Sequence, residues 1–233
     1  MRLDKLLAHM GYGSRKDVKK LIRKGFVRVN DEVVYDDDIQ INEEADEINI
    51  FDENIAYEKY IYIIMNKPQG YICANYSNST PTVFDLLDIN TRGLFTVGRL
   101  DKDTEGLLLI TNDGMLCHNL LSYKHHVEKT YYIEYEGSIN DSKIERLETG
   151  IEIEDYVTKP AKYENVKPGV GKLTICEGKY HQVKLMMEKV GCPLTFLKRV
   201  RFGSLELDEN LEKGSYRFLT EKEINLLKNS IKN

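Results

Sequence analysis

Apolar positions along this chain fall into two regimes. Near the start they recur at helical spacing: Leu3, Leu6, Leu7 and Met10 form one stripe, and Gly11 and Gly13 stop it. Ser14 is a good N-cap for a second helix, with Val18, Leu21 and Ile22 on its apolar side and Gly25 at its end. Residues 26–29 and 33–35 flank Asn30-Asp31, the pattern of a hairpin around a short turn. A stretch at 51–59 has no clear periodicity and reads as a linker. Beyond it, strand and helix patterns alternate. Strands are expected at 60–65, 94–98, 107–111, 130–135 and 172–176, with a turn at 66–70. Helices are expected at 115–121, at 141–149 before Gly150, and at 180–190 before Gly191. The pattern predicts two domains, 1–50 and 60–233, the larger of α/β or α+β type.

Charge changes the picture of the first part. Residues 1–30 hold nine Lys/Arg against two acids, Asp4 and Asp17, whereas residues 31–58 hold twelve acids and no Lys or Arg. The formal net charge of -5 conceals this asymmetry, which predicts a basic face and an acidic face. Phosphate attraction acts over a Debye length of about 8–10 Å, so the local patch matters more than the sum. The helix after Ser14 carries Arg15, Lys16, Lys19, Lys20 and Arg23 on its polar side. A merely solvated helix face is the bland alternative, but the clustering on one short element favours RNA.

Composition narrows the class. The 233 residues are 41% hydrophobic and 30% charged, ordinary for a soluble globular protein with a real core. No apolar run approaches the ~18 residues of a membrane span. Met1-Arg2-Leu3-Asp4-Lys5 has no apolar leader region. Cys73, Cys117, Cys176 and Cys192 are widely spaced with no Cys-x-x-Cys pair, which fits a reduced cytoplasm.

The candidate chemistry lies in polar insertions between apolar strands. In Val97-Gly98-Arg99-Leu100-Asp101-Lys102-Asp103-Thr104-Glu105-Gly106-Leu107, one strand delivers Asp101 into a loop and a second strand follows. Asn112-Asp113-Gly114 closes that strand with turn chemistry. A carboxylate where a strand gives way to a loop is a catalytic group on rigid support. The other insertions are Lys129-Thr130-Tyr131-Tyr132 and Glu177-Gly178-Lys179-Tyr180-His181-Gln182-Val183-Lys184. Each also has a bland reading. Asp101, Asp103 and Glu105 could form an exposed acidic turn or half a calcium loop, but the Gly and distal Glu of such a loop are missing. Taken alone, Tyr131 reads as a half-buried strand residue and Lys184 as a solvated helix residue. His118 reads as a structural helix residue, and His125-His126 as a surface or phosphate-facing pair.

Together these segments resemble the ribosomal RNA pseudouridine synthases over essentially all of residues 60–220, including Met65-Asn66-Lys67-Pro68-Gln69-Gly70-Tyr71 and Pro81-Thr82-Val83. Residues 1–48 resemble the alpha-L RNA-binding module of the ribosomal protein S-four type, through Arg2-Leu3-Asp4-Lys5-Leu6-Leu7, Ser14-Arg15 and Val29-Asn30-Asp31-Glu32-Val33-Val34. The resemblance implies an α+β fold: that small module, then a larger domain on a mixed, mainly antiparallel sheet with flanking helices. It implies that Asp101 is the catalytic residue, as nucleophile or base at the sugar. Lys184 would pair with it, and Tyr131 would stack on the uracil and assist proton removal from ring carbon five. Arg99 would help open the RNA stack where the uridine leaves. Substrate contacts would extend to Lys67, Leu100, Thr104, Gly106, Lys179, His181 and Gln182, and to the basic helix. Lys198, Arg199 and Arg201 would join Lys67 in holding phosphates.

Tyr180-His181-Gln182-Val183-Lys184 and His125-His126-Val127-Glu128-Lys129-Thr130-Tyr131 look most like the branch acting on small-subunit 16S RNA. Leu185 stands where relatives often carry a second basic residue, which bears on a secondary RNA contact. The implied protein is a cytoplasmic, monomeric isomerase without cofactor or metal, acting on the uridine-516 type site of an assembling small subunit and not at a membrane. The alternatives are the same chemistry on 23S RNA, or an idle rRNA-binding assembly factor. The second predicts a lost Asp, Tyr or basic partner, and the chain retains all three. A hydrolase or metal enzyme would need a second catalytic acid or a ligand set that the sequence does not display.

Overall fold

The computed structural model describes residues 1–43, 45–55, 60–122, 124–153 and 156–230. The chain divides into two compact units, Met1–Tyr60 with Asp88–Leu94, and Ile61–Leu87 with Phe95–Asn233.

The first unit opens with helices α1 (Leu3–His9) and α2 (Arg15–Arg23). Ser14 caps α2 in a box: its hydroxyl accepts from the Asp17 amide, and the Asp17 carboxylate accepts from the Ser14 amide at 3.2 Å. The apolar stripes of both helices meet strands β1 (Val27–Val29) and β3 (Ile48–Ile50) in one core, with Leu3, Leu6, Leu7, Val18, Ile22, Val27 and Ile50 all within it. Strands β2 (Glu32–Val33) and β4 (Glu53–Asn54) complete an antiparallel sheet in the order β2-β1-β3-β4. The expected linker is therefore partly sheet. Phe51 and Asp52 both adopt left-handed φ, 50° and 65°, and turn β3 into β4. A Phe at such a position is unfavourable, so the turn carries no Asn-Gly or Asp-Gly signature in the sequence. Residues 56–59 of the expected linker lie outside the described residues.

The second unit is built on nine strands in the order β11-β12-β8-β13-β7-β5-β15, with β6 beside β7 and β14 beside β13. These are β5 (Tyr62–Lys67), β6 (Phe95–Thr96), β7 (Glu105–Thr111), β8 (Lys129–Tyr135), β11 (Lys162–Lys167), β12 (Val170–Ile175), β13 (Leu194–Phe202), β14 (Leu205–Glu206) and β15 (Tyr216–Phe218). A small hairpin of β9 (Glu152–Ile153) and β10 (Tyr156–Val157) stands apart. The β13–β7 junction is parallel, and the other pairings of this sheet are antiparallel among the described residues. Every residue of β5 and β7 is buried, as befits strands in mid-sheet, so Asn66 and Lys67 extend β5 instead of beginning a turn.

Helices α3 (Gly114–Leu121), α4 (Asp141–Thr149), α5 (Gln182–Lys189) and α6 (Glu221–Asn229) accompany the sheet. Leu116 and Leu120 of α3 and Leu227 of α6 join Ile64, Leu107, Leu109 and Phe202 in one core cluster. Asn112-Asp113-Gly114 starts α3 and does not turn back into a strand. One Asp113 oxygen accepts from the Leu116 amide at 3.0 Å, and the other accepts from the Tyr62 hydroxyl at 2.8 Å. His118 lies on α3 with its side chain exposed.

Candidate active site

Asp101 sits in the loop between β6 and β7, and a buried lysine fastens that loop. Lys67, at the end of β5, is 0% exposed. Its ammonium donates to three carbonyls: Pro68 at 3.1 Å, Asp101 at 3.0 Å and Thr104 at 2.9 Å. Burial pulls its pKa down, while Cys73 and the acids of the loop favour its charge. Two further ties come from 70–73. The Gly70 amide donates to the Lys102 carbonyl at 2.8 Å, and the Leu100 amide donates to the Cys73 sulfur at 3.3 Å. Lys67 is thus a strut under the loop and cannot serve as the phosphate contact expected of it. Its place behind an apolar strand run was the available signal.

The turn before α5 meets the loop from the other side. Lys184 Nζ lies 2.9 Å from Asp101 Oδ2 and 2.6 Å from Asp103 Oδ1. Burial works against the Lys184 charge, but the hydrogen bonds to Asp103 and Asp101 outweigh it and hold its pKa above the ordinary lysine value. Asp103 is likewise held below the carboxylate range by Lys184, against its own partial burial. The other Asp101 oxygen faces His181 Nε2 at 3.5 Å. His181 takes a left-handed φ of 49° as the N-cap of α5, and its ring stacks on exposed Tyr180 at 3.8 Å between centroids. Gln182 holds this turn: its carbonyl oxygen accepts from the Lys179 amide at 3.0 Å, and its amide group donates to Glu177 at 2.7 Å. Asp103 is occupied by Lys184, and Glu105 by Lys213 at 2.9 Å. Of the alternating acids, Asp101 and Asp103 thus share the Lys184 ammonium and Glu105 is held apart by Lys213.

Asp101, His181, Gln182 and Lys184 line a cavity of about 450 Å³ with Arg99, Lys129, Tyr131, Lys179 and Arg199 on its walls. Tyr131 lies in β8 opposite Leu173 and Arg199 and is 8% exposed. Lys129 precedes it by two residues, so both side chains leave the same face of the sheet. Lys129 Nζ donates to the Val127 carbonyl at 2.7 Å. Burial, reinforced by the Arg199 charge, lowers its pKa to about 8.

The structure brings Asp101, Lys184, His181 and Tyr131 to one cavity, with exposed Arg99 also on its wall. The other expected contacts differ in their placement. Gly106 lies inside β7 with φ 100°, and a Cβ there would fall 2.2 Å from the Arg199 carbonyl oxygen. It is a close-approach glycine between β7 and β13. Leu100, Thr104 and Gln182 are buried but line the Asp101 cavity, and Gln182 also holds the turn before α5. Arg199 is 2% exposed and its Nε donates to the Leu107 carbonyl at 2.8 Å, which fixes the guanidinium in the wall of this cavity. Lys198 and Arg201 line a different concavity with Thr130, Tyr132 and Lys172, where Arg201 pairs with Glu128.

The basic helix is also less free than its sequence predicts. Arg15 reaches buried Asp4 at 3.0 Å, Lys19 reaches Asp37 at 2.9 Å, and Arg23 reaches Asp37 at 2.7 Å. Lys20 lies 3.7 Å from Asp17. Separate basic and acidic faces do not describe this unit, because Asp37 of the acidic stretch folds onto the basic helix. Lys16 and Lys24 stay exposed.

The match to known proteins covers both units. The family model for RNA pseudouridylate synthases matches residues 61–189, and that for the S4 domain matches residues 1–44. The chain is 47% identical to an uncharacterized RNA pseudouridine synthase, YtzG, of Bacillus subtilis, over 97% of this chain and 98% of that one. It is 41% identical to the ribosomal small subunit pseudouridine synthase A of Haemophilus influenzae over 97% of this chain and 99% of that one. For the protein of that name from Escherichia coli K12 the identity is 40%, over 96% and 98%. A crystal structure of a pseudouridylate synthase superposes with TM-score 0.69 at 40% identity, covering 97% of this chain and 99% of that one. With matches of this extent across both units, the chain is a member of the RNA pseudouridine synthase family.

Proposed function

We propose that this protein isomerises one uridine of 16S ribosomal RNA, the uridine-516 type site, with Asp101 as the catalytic carboxylate. The observation that carries the reading is the Asp101 carboxylate between Lys184 and His181 at a cavity that Tyr131 lines. The small-subunit branch is supported by the names of the relatives in Haemophilus influenzae and Escherichia coli. The protein acts in the cytoplasm as a monomer, on RNA of an assembling small subunit, without a cofactor.

In the reaction the bond from N1 of uracil to C1′ breaks, and its electron pair leaves with the base. Asp101 either attacks C1′ or removes a sugar proton to drive that cleavage. The base turns and C5 bonds to C1′ as the Asp101–C1′ bond breaks or, in the elimination route, as Asp101 returns the sugar proton; the proton on C5 then leaves while N1 is reprotonated. Tyr131 offers an aromatic face to the flat base and a hydroxyl for the C5 proton. Lys184 keeps the carboxylate charged and aimed. Arg99, exposed on the cavity wall, helps open the RNA stack as the uridine is flipped, a step costing about a few kcal/mol.

The test is pseudouridine mapping on both ribosomal RNAs from cells with and without the gene, with restoration by wild type or by Asp101→Asn. Loss of one 16S site, restored by wild type alone, is the expected result. Loss at a 23S site would overturn the substrate and keep the chemistry. Restoration by Asp101→Asn would overturn the catalytic role.

A further inference from the structure

We propose that Lys129 is a catalytic residue of this site: its ammonium stabilises the uracil as it departs with the glycosidic electron pair. This rests on the uridine-isomerising function proposed above and names a group within that same cavity. Three observations carry it. Lys129 lines the cavity that holds Asp101 and leaves the same face of β8 as Tyr131, two residues on. Its amino group has one hydrogen-bond acceptor among the described residues, the Val127 carbonyl, which leaves N–H donors for a ligand. And it is a lysine at 7% exposure with no carboxylate hydrogen-bonded to it, beside the buried Arg199 guanidinium. A cation in that position costs stability, and such costs concentrate at functional sites.

The chemistry requires a group of this kind. When the bond from N1 to C1′ breaks, the electron pair moves onto N1 and spreads to the O2 and O4 carbonyls. A neutral cavity would raise that barrier, whereas a desolvated ammonium donating to a uracil oxygen lowers it. Asp101 cannot do this work, since it carries the opposite charge and acts at the sugar. Lys184 is committed to Asp101 and Asp103. Lys129 keeps its proton throughout, so no net transfer to it is needed.

The groups around Lys129 set the expected pH response. Arg199 from β13 disfavours its charge, and Cys176 and Glu177 before α5 favour it. Asp101, His181, Lys184 and Tyr131 share the cavity. Loss of the Lys129 proton near pH 8 would remove the stabilisation while leaving Lys184 charged.

The decisive measurement is the single-turnover rate of pseudouridine formation from pH 6 to 10, on transcripts of the 16S and 23S RNAs, with RNA affinity measured in parallel. The wild-type rate should fall above about pH 8. Lys129→Arg, charged throughout this range, should keep the rate within about tenfold and lose the alkaline fall. Lys129→Met should slow turnover about 100-fold with unchanged RNA affinity, and with no alkaline fall left. An unaltered alkaline fall in Lys129→Arg, or full turnover by Lys129→Met, overturns the role. If Arg does not fit and that variant melts early, the methionine variant's rate and flat profile decide alone. Absence of wild-type turnover on both transcripts would instead overturn the parent reading.

Discussion

Lys184 and Asp101 are a pair whose value depends on both members. Removing the lysine leaves a carboxylate with one histidine neighbour in a half-enclosed site, and an uncompensated charge there costs more than the pair itself contributes. Lys184→Met should therefore lower kcat by about 100-fold while RNA affinity changes little, and Lys184→Arg should recover much of the loss. Equal losses in kcat and affinity would show that the lysine binds RNA instead. Lys129 makes the opposite bargain. Its pKa falls to about 8 in the folded chain, against 10.5 when exposed. Between those values the unfolded chain holds a proton that the folded chain has shed, so stability rises as pH climbs through that window. Below it the folded state carries the full penalty of the buried charge. Lys129→Met should accordingly raise the melting temperature at pH 7 and flatten the rise from pH 8 to 10, as read by thermal denaturation at several pH values. At this scale the sequence pointed to three residues from distant segments, Asp101, Tyr131 and Lys184, that the fold brings to one cavity. It misled at Lys67, because a long basic side chain looks the same in sequence whether it ends on a phosphate or on buried carbonyls.

Elements were legible in proportion to their regularity. Helix α4 matches its expected limits, Asp141–Thr149, because Asn140 caps one end and Gly150 stops the other. The longest strand, β13, was missed altogether. Its pairing with β8 shifts register between Leu194 and Phe196 and again between Arg199 and Arg201, so the period-two alternation is broken twice within nine residues. Strand β7 shows the converse, a strong apolar run whose one irregular member has a structural cause. Gly106 lets β7 and β13 approach in parallel register, Gly106 opposite Arg199. Gly106→Ala would combine a left-handed φ with a 2.2 Å contact to backbone oxygen. We expect a loss of more than about 2 kcal/mol in denaturant unfolding. Since Lys67 and the Asp101 loop join the same strand, pseudouridine formation should fall with it. Stability within about half a kcal/mol of wild type would show that the strands can part without cost.

At the scale of the whole molecule, a net charge of -5 sits with an RNA-binding family because charge is distributed unevenly. Its placement differs from what the sequence order implies, since Asp4 and Asp37 stand against Arg15, Lys19 and Arg23. The Lys19 hydrogen bond, joined by Arg23, holds Asp37 below the usual carboxylate range, so it stays ionised at neutral pH. These carboxylates act as built-in counterions. A phosphate that engages Arg23 must displace a tethered anion, and the freed Asp37 then recruits a cation from solution. Gain and loss of salt ions partly cancel, so the salt dependence of RNA binding should be shallower than the number of basic residues suggests. Asp37→Asn should steepen the slope of log affinity against log salt and tighten binding to RNA of arbitrary sequence, as measured by titration at several ionic strengths. An unchanged slope would mean that Arg23 and Lys19 never leave their carboxylate. Discrimination by the first unit then amounts to partner exchange: only an RNA whose shape presents phosphates better than Asp37 already does can win these side chains, and loosely fitting polyanions are turned away.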